Sequence, residues 1–215
     1  MGSDMTGERD SRRDRRGLVH TSYDRIAENY LASKSPLDAE AEGMLNELLE
    51  GSAPHAPVLD LGCGAGVPVT QWLAERRQVV GVDLSMRQLE LCRQHVPGAW
   101  LVQSDLTDLA LREATFGSVV SMYAIIHVPR EEHRPLLERI HRWLLPGGGF
   151  LATWPMNDWE GEEQDWLGAG ATMWWSHFGR DANLTMLEST GFRVDRVEDR
   201  HGAESWCWVL ARKPD

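Results

Sequence analysis

One short run of residues constrains the fold of this chain more than any other. Residues 58–61 are apolar except for Asp60, and they lead directly into Gly62, Gly64 and Gly66. A short apolar run of this kind is typical of a buried strand, while glycines permit a tight turn and leave no Cβ between backbone and ligand. The run therefore predicts a strand, a glycine turn and a helix, as in α/β proteins.

The rest of the chain continues this alternation of short apolar runs with longer amphipathic segments. Strands are predicted near 58–62, 78–83, 99–103, 117–123 and 148–154, and helices near 66–76, 85–95 and 130–144. The final third adds a helix near 180–190 and strands near 192–199 and 204–211. Two further helices precede the first strand, one from Thr21 to Leu31 and one between Pro36 and Gly51. The pattern predicts an α/β fold with one doubly wound sheet.

Length and composition indicate one globular domain. The 215 residues are 42% hydrophobic and 26% charged, which is close to the ordinary globular mixture. We expect a flexible N-terminal tail over 1–17 and a single domain over 18–215. Within that domain we expect an N-terminal helical cap at about 18–51 and a substrate lid insertion at about 155–180.

The net charge and the cysteines indicate which partners and which cellular environment to expect. The formal net charge of −11 disfavours binding to nucleic acid or to an anionic membrane, so we expect neither as a partner. The cysteines Cys63, Cys92 and Cys207 are widely spaced and lack the pairing of a zinc site or a disulfide framework. We therefore expect a cytoplasmic protein without a metal, either monomeric or homodimeric.

The glycine loop departs from the dinucleotide fingerprint. That fingerprint requires a glycine at the sixth position, where this chain has Val67. Asp60 precedes the loop, where it would lie close to a diphosphate, a group that is also negatively charged. The same carboxylate could hold a cationic amino-acid group directly or through water. These features favour S-adenosylmethionine over a dinucleotide as the ligand.

Two more acidic residues follow the second and third predicted strands. Asp83 ends the second strand, where a carboxylate can accept both hydroxyl groups of a ribose. Asp105 follows the third strand, where it could accept a hydrogen bond from an adenine amino group, with Leu106 and Met86 beside the ring. A single such acid is more often a helix cap or a turn residue, but three acids at successive strand ends favour a common ligand.

Four motifs together resemble the ordered motifs of class I S-adenosylmethionine-dependent methyltransferases. They are Val58-Leu-Asp-Leu-Gly-Cys-Gly-Ala-Gly66, Val79-Val-Gly-Val-Asp-Leu-Ser85, Ser104-Asp-Leu106 and Leu144-Leu-Pro-Gly-Gly-Gly-Phe150. The resemblance covers about residues 20 to 211. It implies a seven-stranded, mostly parallel sheet of order 3-2-1-4-5-7-6, with strand 7 antiparallel and helices on both faces. It also implies S-adenosyl-L-methionine as cofactor and S-adenosyl-L-homocysteine as product.

The resemblance extends to the N-terminal region and to the end of the fourth strand. Tyr23 and Tyr30 resemble tyrosines that close over the cofactor in related enzymes, and the segment 123–130 resembles the motif that follows the fourth strand in small-molecule members. The cofactor-binding residues predicted from motifs and resemblance are Tyr23, Tyr30, Asp60, Gly62, Gly64, Gly66, Asp83, Leu84, Met86, Ser104, Asp105, Leu106, Met122, Tyr123 and His127.

The acceptor site is predicted from histidines and tryptophans. His127 is the leading candidate for a general base and His177 is the second, although His127 could instead pack beside the cofactor or cap the next helix. Five of the ten tryptophans fall between residues 154 and 175, where they could stack on a planar acceptor or fill the core beneath a lid. The predicted substrate-binding residues are Tyr30, Tyr123, Trp154, Trp159, Met173, Trp174, Trp175 and His177.

The leading hypothesis is methyl transfer from S-adenosylmethionine to an N or O atom of a small aromatic or heterocyclic acceptor, by in-line displacement, with a role in secondary metabolism. The alternatives are a methyltransferase acting on RNA or protein, and a non-catalytic S-adenosylmethionine-binding protein. An NAD-dependent oxidoreductase is disfavoured, because the chain lacks both the sixth-position glycine and a Tyr-x-x-x-Lys proton relay.

Overall fold

The computed structural model describes residues 4–202 and 204–215 of the chain, with side chains from Asp14 onward. The helices are α1 Asp4–Ala32, α2 Ala39–Glu50, α3 Val69–Ala74, α4 Met86–His95, the short 3-10 helix Ile125–His127, α5 Arg130–Trp143 and α6 Arg180–Ser189. The strands are β1 Val58–Leu61, β2 Val79–Asp83, β3 Trp100–Gln103, β4 Phe116–Ser121, β5 Leu144–Pro155, β6 Trp159–Trp166, β7 Ala171–His177, β8 Arg193–Arg200 and β9 Trp206–Arg212.

Seven of these strands form one sheet, in the order β3-β2-β1-β4-β5-β9-β8. The first five pair in parallel, and β9 runs antiparallel to both β5 and β8. When the separate hairpin β6–β7 is left out of the numbering, the order becomes 3-2-1-4-5-7-6. The predicted sheet and its antiparallel last strand are confirmed.

Both faces of the sheet are covered, which explains why its central strands are apolar. Every residue of β1 and of β4 is buried. On one face, Leu59 and Leu61 pack in a core cluster with residues of α5 and α6. On the other face, Val58 packs in a second cluster with residues of α2 and α3. Parallel strands buried on both faces read as continuous apolar runs rather than as alternating ones, as the run at residues 58–61 does.

The N-terminal segment differs from the expected tail over 1–17. Helix α1 begins at Asp4, and residues 1–3 lie outside the described part of the chain. The guanidinium group of Arg16 lies 3.1 Å from Asp105 and 2.6 Å from Glu132. The sequence does not reveal these contacts, because the acidic partners of Arg16 lie about a hundred positions further along the chain.

Helix α3 is also shorter than the predicted segment 66–76, since it begins only at Val69. Gly66 has a φ of +83°, which no right-handed helix contains, so the glycine turn extends past it.

The segment expected to be a lid, about 155–180, contains the hairpin β6–β7. Its strands pair antiparallel to each other and belong to a separate two-stranded sheet. Strand β7 packs against α1 and against the 3-10 helix that follows β4. The hairpin and α1 therefore close together over the carboxyl end of β4. No helix within residues 4–202 and 204–215 is long and apolar enough to cross a membrane.

Candidate functional site

Two adjoining cavities open at the carboxyl ends of β1, β2 and β4. Their volumes are about 90 Å³ and about 440 Å³, and we call them the smaller and the larger cavity. Open α/β sheets bind their ligands at this edge, and the larger volume is within the usual range for small-molecule sites. The two cavities share the lining residues Tyr23, Tyr30, Gly62, Gly64, Met122 and Tyr123.

The glycine loop after β1 forms the floor shared by both cavities. Gly62 has a φ of +79°, and a Cβ at this position would lie 2.2 Å from the Cβ of Ala124. The backbone nitrogen of Gly64 donates a hydrogen bond to Asp83 Oδ2 at 2.8 Å. Gly66 lines neither cavity, since a Cβ there would point at Cys92 Sγ, 2.7 Å away. Gly66 thus lets the loop pack on α4, and its assignment as a direct cofactor contact stays a prediction.

Asp83 ends β2 with its carboxylate beside this loop. Its Oδ2 accepts from the Gly64 nitrogen and its Oδ1 accepts from the Ser85 nitrogen at 2.9 Å. Each carboxylate oxygen has two acceptor sites, so one site on each oxygen remains for a ligand. Burial raises the pKa of Asp83 to about 6. The arrangement can accept two hydroxyl groups from a molecule in the smaller cavity.

Gln88 also lines the smaller cavity, and sequence reasoning missed it. Its side chain is only 1% exposed, and among the described residues neither Nε2 nor Oε1 has a hydrogen-bond partner. A buried amide without partners costs about 1 to 3 kcal/mol, so this group fits a polar ligand atom. The one sequence signal was a polar residue three positions after Ser85, whose side chain caps α4.

Asp105 lines the smaller cavity, but its carboxylate is already engaged. Oδ1 accepts from both the backbone nitrogen and the hydroxyl of Thr107, at 2.7 and 2.6 Å, and Oδ2 lies 3.1 Å from Arg16 Nε. An adenine amino group would therefore share Oδ2, which keeps one acceptor site, with Arg16.

The other residues predicted around adenine divide into two groups. Leu84 and Leu106 line the smaller cavity, whereas Met86 and Ser104 line neither cavity. Met86 is 45% exposed at the start of α4, and the hydroxyl of Ser104 donates to the carbonyl of Asp105. The assignment of Met86 and Ser104 to the cofactor site stays a prediction.

Asp60 lies at the wall of the larger cavity, within β1. It is 2% exposed and accepts a hydrogen bond from the hydroxyl of Thr70 at 2.7 Å. Burial raises its pKa to about 7, and the nearby charge of Asp83 contributes to the shift. A carboxyl group held in this state would ionise readily beside a cationic ligand group.

His127 forms a fixed pair with Tyr23. A backbone carbonyl can only accept, so the 2.8 Å contact between His127 Nδ1 and the Trp174 oxygen places the ring proton on Nδ1. Nε2 then accepts from the hydroxyl of Tyr23, also at 2.8 Å. Burial lowers the pKa of His127 to about 4. The histidine lines the smaller cavity as a neutral ring whose basic nitrogen is already bonded.

The second candidate base, His177, lines neither cavity. It is buried at the end of β7, with its ring 6.3 Å from that of Trp159, and burial lowers its pKa. Its assignments as a base and as a substrate contact stay predictions that the cavity lining does not support.

Four of the predicted substrate contacts also lie elsewhere. Trp154 belongs to the core beside Phe150, and Met173 and Trp174 lie in the cluster that α1 forms with β7. Trp159 is 43% exposed and lines neither cavity. The sequence indicated the right segment, but the side of each strand that a tryptophan occupies is decided by strand register. Trp175 does line the larger cavity.

The larger cavity contains residues that the sequence did not indicate. They come from the connection between α1 and α2 and from strands β6, β8 and β9, and include Lys34, Trp166, Arg200, Trp206 and Trp208. The ring of Trp166 lies 5.9 Å from that of Tyr23 and 5.3 Å from that of Trp175. Because these segments are far apart in the chain, no local motif signals that they meet.

Comparison with known proteins agrees with this geometry. A family model described as a methyltransferase domain matches residues 58–148. The methyltransferase GfsG of Streptomyces halstedii is 33% identical over 139 residues, which are 58% of this chain and 49% of that protein. Phosphoethanolamine N-methyltransferase 3 of Arabidopsis thaliana is 33% identical over 106 residues, covering 46% and 21% of the two chains. The chain spans about half the length, or less, of the curated relatives it matches.

Solved structures share the whole fold. A complex of DhpI with SAH superposes with a TM-score of 0.74 at 22% identity, covering 93% of this chain and 97% of the other. An S-adenosylmethionine-dependent methyltransferase from Mesorhizobium loti superposes with a TM-score of 0.66 at 23% identity, covering 81% and 98%. Residues 58–148 therefore match a methyltransferase domain, and the chain has the Rossmann-like fold of the S-adenosylmethionine-dependent methyltransferases on which it superposes.

Proposed function

We propose that this protein transfers a methyl group from S-adenosylmethionine to an N or O atom of a small aromatic or heterocyclic acceptor, with a role in secondary metabolism. The observation that carries the proposal is the pair of adjoining cavities. The smaller one has the Asp83 carboxylate beside the glycine loop, and the larger one is lined by aromatic rings. The shared wall would bring a cofactor and an acceptor together.

The residues of the smaller cavity fit the nucleoside part of the cofactor. Asp83 keeps two acceptor sites for a ribose diol, and the unpartnered amide of Gln88 is available beside it. Leu84 and Leu106 supply apolar walls for a base. At the neighbouring wall, Asp60 would hold the methionyl ammonium group. When bound, S-adenosylmethionine supplies an electrophilic methyl carbon on a positively charged sulfur, which leaves as a neutral thioether, and this chemistry needs no metal ion.

The protein's own part in such a reaction is alignment and exclusion of water. Helix α1 and the hairpin β6–β7 cover the junction of the cavities with Tyr23, Tyr30 and Trp166. The pair of Tyr23 and His127 holds the tyrosine hydroxyl at the wall of the smaller cavity. With its pKa near 4, His127 is a weak base, so its proposed role is to orient Tyr23. This suits an acceptor atom that is already ionised or is a neutral amine, because neither must lose a proton before it attacks.

A small-molecule acceptor is supported by charge and by the relatives. The formal net charge of −11 opposes a phosphate backbone as substrate. One of the matching proteins is named a phosphoethanolamine N-methyltransferase, so a small acceptor is known among similar chains. Both observations favour a small molecule over RNA or protein.

Calorimetry with S-adenosylhomocysteine tests the cofactor assignment. We expect saturable binding by the parent and at least a 100-fold loss in Asp83→Ala, because two hydrogen bonds to a charged group, each about 1.5 kcal/mol, disappear. Asp181→Ala is the matched control, since this side chain is 91% exposed on α6, and it should bind like the parent. Absence of binding by the parent, or undiminished binding by Asp83→Ala, would refute the assignment.

A transfer assay tests the acceptor class. Protein is incubated with tritiated S-adenosylmethionine and with total RNA, total protein or a small-molecule extract. We expect label in the small-molecule fraction. Label in filter-bound RNA or protein instead would contradict a small acceptor.

A further inference from the structure

Lys34 places a cation inside the larger cavity. It lies in the connection between α1 and α2, half-buried, with its ammonium nitrogen 3.7 Å from the ring centroid of Tyr30 and 5.5 Å from that of Tyr123. Both rings also line the cavity. The cation is thus held over the wall that a ligand would face.

Among the residues whose side chains the structure describes, no anionic partner contacts the ammonium group. Within residues 14–202 and 204–215, no carboxylate forms an ion pair with Lys34, and burial alone lowers its pKa to about 8. A cation removed from water without a counterion is unfavourable unless a ligand supplies one. Aromatic faces compensate part of this cost.

Arg200 provides a second polar group on the same cavity. Its Nη1 donates to both oxygens of Asp38, at 3.2 and 3.0 Å, and its guanidinium group lies 3.9 Å from the ring centroid of Trp208. Its Nε and Nη2 are buried and have no hydrogen-bond partner among the described residues; the nearest acid, Glu40, is 3.8 Å from Nη2. Arg200 therefore keeps donors free although its charge is compensated.

Lys34 is the cation on this cavity that forms no ion pair among the described side chains. The other lining cation, Arg200, pairs with Asp38, while the lining acids Asp60 and Glu204 accept hydrogen bonds from Thr70 and from Trp206 Nε1, the latter at 3.2 Å. A ligand carboxylate would supply the ion pair that Lys34 lacks. The rings around it, those of Tyr30, Tyr123, Trp206 and Trp208, suit a planar molecule.

We propose that the acceptor is an aromatic monocarboxylate whose carboxylate group pairs with Lys34 and takes a hydrogen bond from Arg200, while its ring packs against the tyrosines and tryptophans of the larger cavity. This inference rests on the proposed function, since it describes the acceptor of that reaction. It adds a recognition group that neither the motifs nor the relatives indicate.

The methionyl carboxylate of the cofactor is the rival partner for Lys34, because the same cavity reaches the glycine loop. The position of the ammonium group favours the acceptor. It lies between the rings of Tyr30 and Tyr123, and the Tyr123 ring packs 4.6 Å from that of Trp206 on β9. The experiment is designed to separate the two partners.

The test uses the protein loaded with S-adenosylhomocysteine and follows ligand binding by NMR titration. The probes are two acids with their uncharged amides: benzoate with benzamide, and 2-naphthoate with 2-naphthamide. We expect each acid to bind at least tenfold more tightly than its amide. In Lys34→Met this preference should fall below twofold, while affinity for S-adenosylhomocysteine stays within threefold of the parent.

The chain supplies a matched control in its other lysine. Lys213 donates to the carbonyl of Leu144 and lines neither cavity, so Lys213→Met should keep the full preference for acids. Lys34→Arg retains the charge and should also keep it, which covers the case in which Lys34→Met fails to fold.

The inference is wrong if no acid binds better than its amide, or if the preference survives in folded Lys34→Met. A tenfold loss of S-adenosylhomocysteine affinity in Lys34→Met, with the preference for acids intact, assigns the lysine to the cofactor instead. Failure of the parent to bind S-adenosylhomocysteine refutes the proposed function. This failure is distinguishable from failure of the inference, because the acid and amide titrations are repeated without S-adenosylhomocysteine.

Discussion

The smaller and the larger cavity are built in different ways. The floor of the smaller one comes from consecutive strands and their loops, so that Gly62, Asp83 and Gln88 lie within one short stretch of chain. The larger one is assembled from Lys34 near the N-terminus and from strands near the C-terminus, such as β9. Tyrosines line both cavities, whereas the tryptophans Trp166, Trp175, Trp206 and Trp208 line only the larger one. We expect the first to tolerate little change and the second to tolerate more.

The largest expected difference is between two glycine substitutions, one in the glycine loop that both cavities share and one in the turn of the hairpin β6–β7, whose Trp166 and Trp175 line the larger cavity. In Gly62→Ala the new Cβ would lie 2.2 Å from the Cβ of Ala124, and the φ of +79° is itself unfavourable. We expect a loss of about 3 kcal/mol or more in the free energy of unfolding. In the turn of the hairpin β6–β7, Gly168 has a φ of +65° but no atom within 4 Å of its Cβ position. Gly168→Ala should cost only about 1 kcal/mol.

Urea unfolding of both variants measures these losses. Equal losses would contradict the contrast between the two regions. A rise in S-adenosylhomocysteine affinity in Gly62→Ala would contradict the loop geometry itself.

The same difference explains what could be predicted from the sequence. The sheet and the positions of Gly62, Gly64 and Asp83 at its edge follow from local patterns, because an apolar run fixes a strand and parallel strands end at one edge. Long-range side-chain partners do not follow. Arg16, on α1, reaches Thr107, which is 91 positions away, and engages Asp105 beside it. No local sequence pattern near Arg16 predicts these contacts.

The tryptophans show the limit of compositional reasoning. Their concentration near the fifth strand indicated the region correctly, since Trp166 and Trp175 line the larger cavity. It could not distinguish these from Trp154, which faces the core, or from Trp159, which faces outward. A shift of one residue in strand register exchanges the two faces, and the sequence does not fix the register of a short hairpin to that accuracy.

The glycine-loop region also contains a buried acid, Asp60, whose raised pKa makes stability depend on pH. The pKa of Asp60 is about 7 in the folded protein, against 3.8 for an ordinary aspartate, so the unfolded chain releases this proton at lower pH. The contribution of Asp60 to the free energy of unfolding should therefore fall as pH rises from about 4 to about 7. Asp60→Asn can still accept from Thr70 and lacks this dependence. Relative to the variant, the parent should lose about 2 to 4 kcal/mol across that range, at about 1.4 kcal/mol per pKa unit.

Urea unfolding of both proteins at pH 4.5 and pH 8 measures this difference. His127 and His133, whose pKa values are about 4, give the opposite dependence, but they are present in both proteins and cancel. A parent-to-variant difference that does not change with pH would show that Asp60 is ionised throughout.

Substitutions of two tryptophans, one inside and one outside the larger cavity, test its wall, and the expected effect is of intermediate size. Trp175 lines it and packs 4.6 Å from His127 and 5.3 Å from Trp166, measured between ring centroids. In Trp175→Ala we expect about a tenfold loss in 2-naphthoate affinity, because a ring contact worth about 1 kcal/mol and its buried area disappear. S-adenosylhomocysteine affinity should stay within threefold. Trp159→Ala, which removes an exposed ring outside the cavities, should change naphthoate affinity less than threefold. The reverse order of the two variants would overturn the assignment of the cavity wall.

The smallest effect is expected at Gln88, where stability and binding should move in opposite directions. Its buried amide lacks partners, so Gln88→Met removes an unsatisfied polar group while nearly conserving volume. The free energy of unfolding should rise by about 1 kcal/mol, and S-adenosylhomocysteine affinity should fall about tenfold, because a hydrogen bond to the nucleoside is lost. Met86→Ala, on the exposed side of the same helix, should change affinity less than twofold. If Gln88→Met loses stability yet binds S-adenosylhomocysteine normally, Gln88 is a structural residue. If stability rises while affinity falls, Gln88 belongs with Asp83 to a binding site whose polar groups destabilise the ligand-free fold.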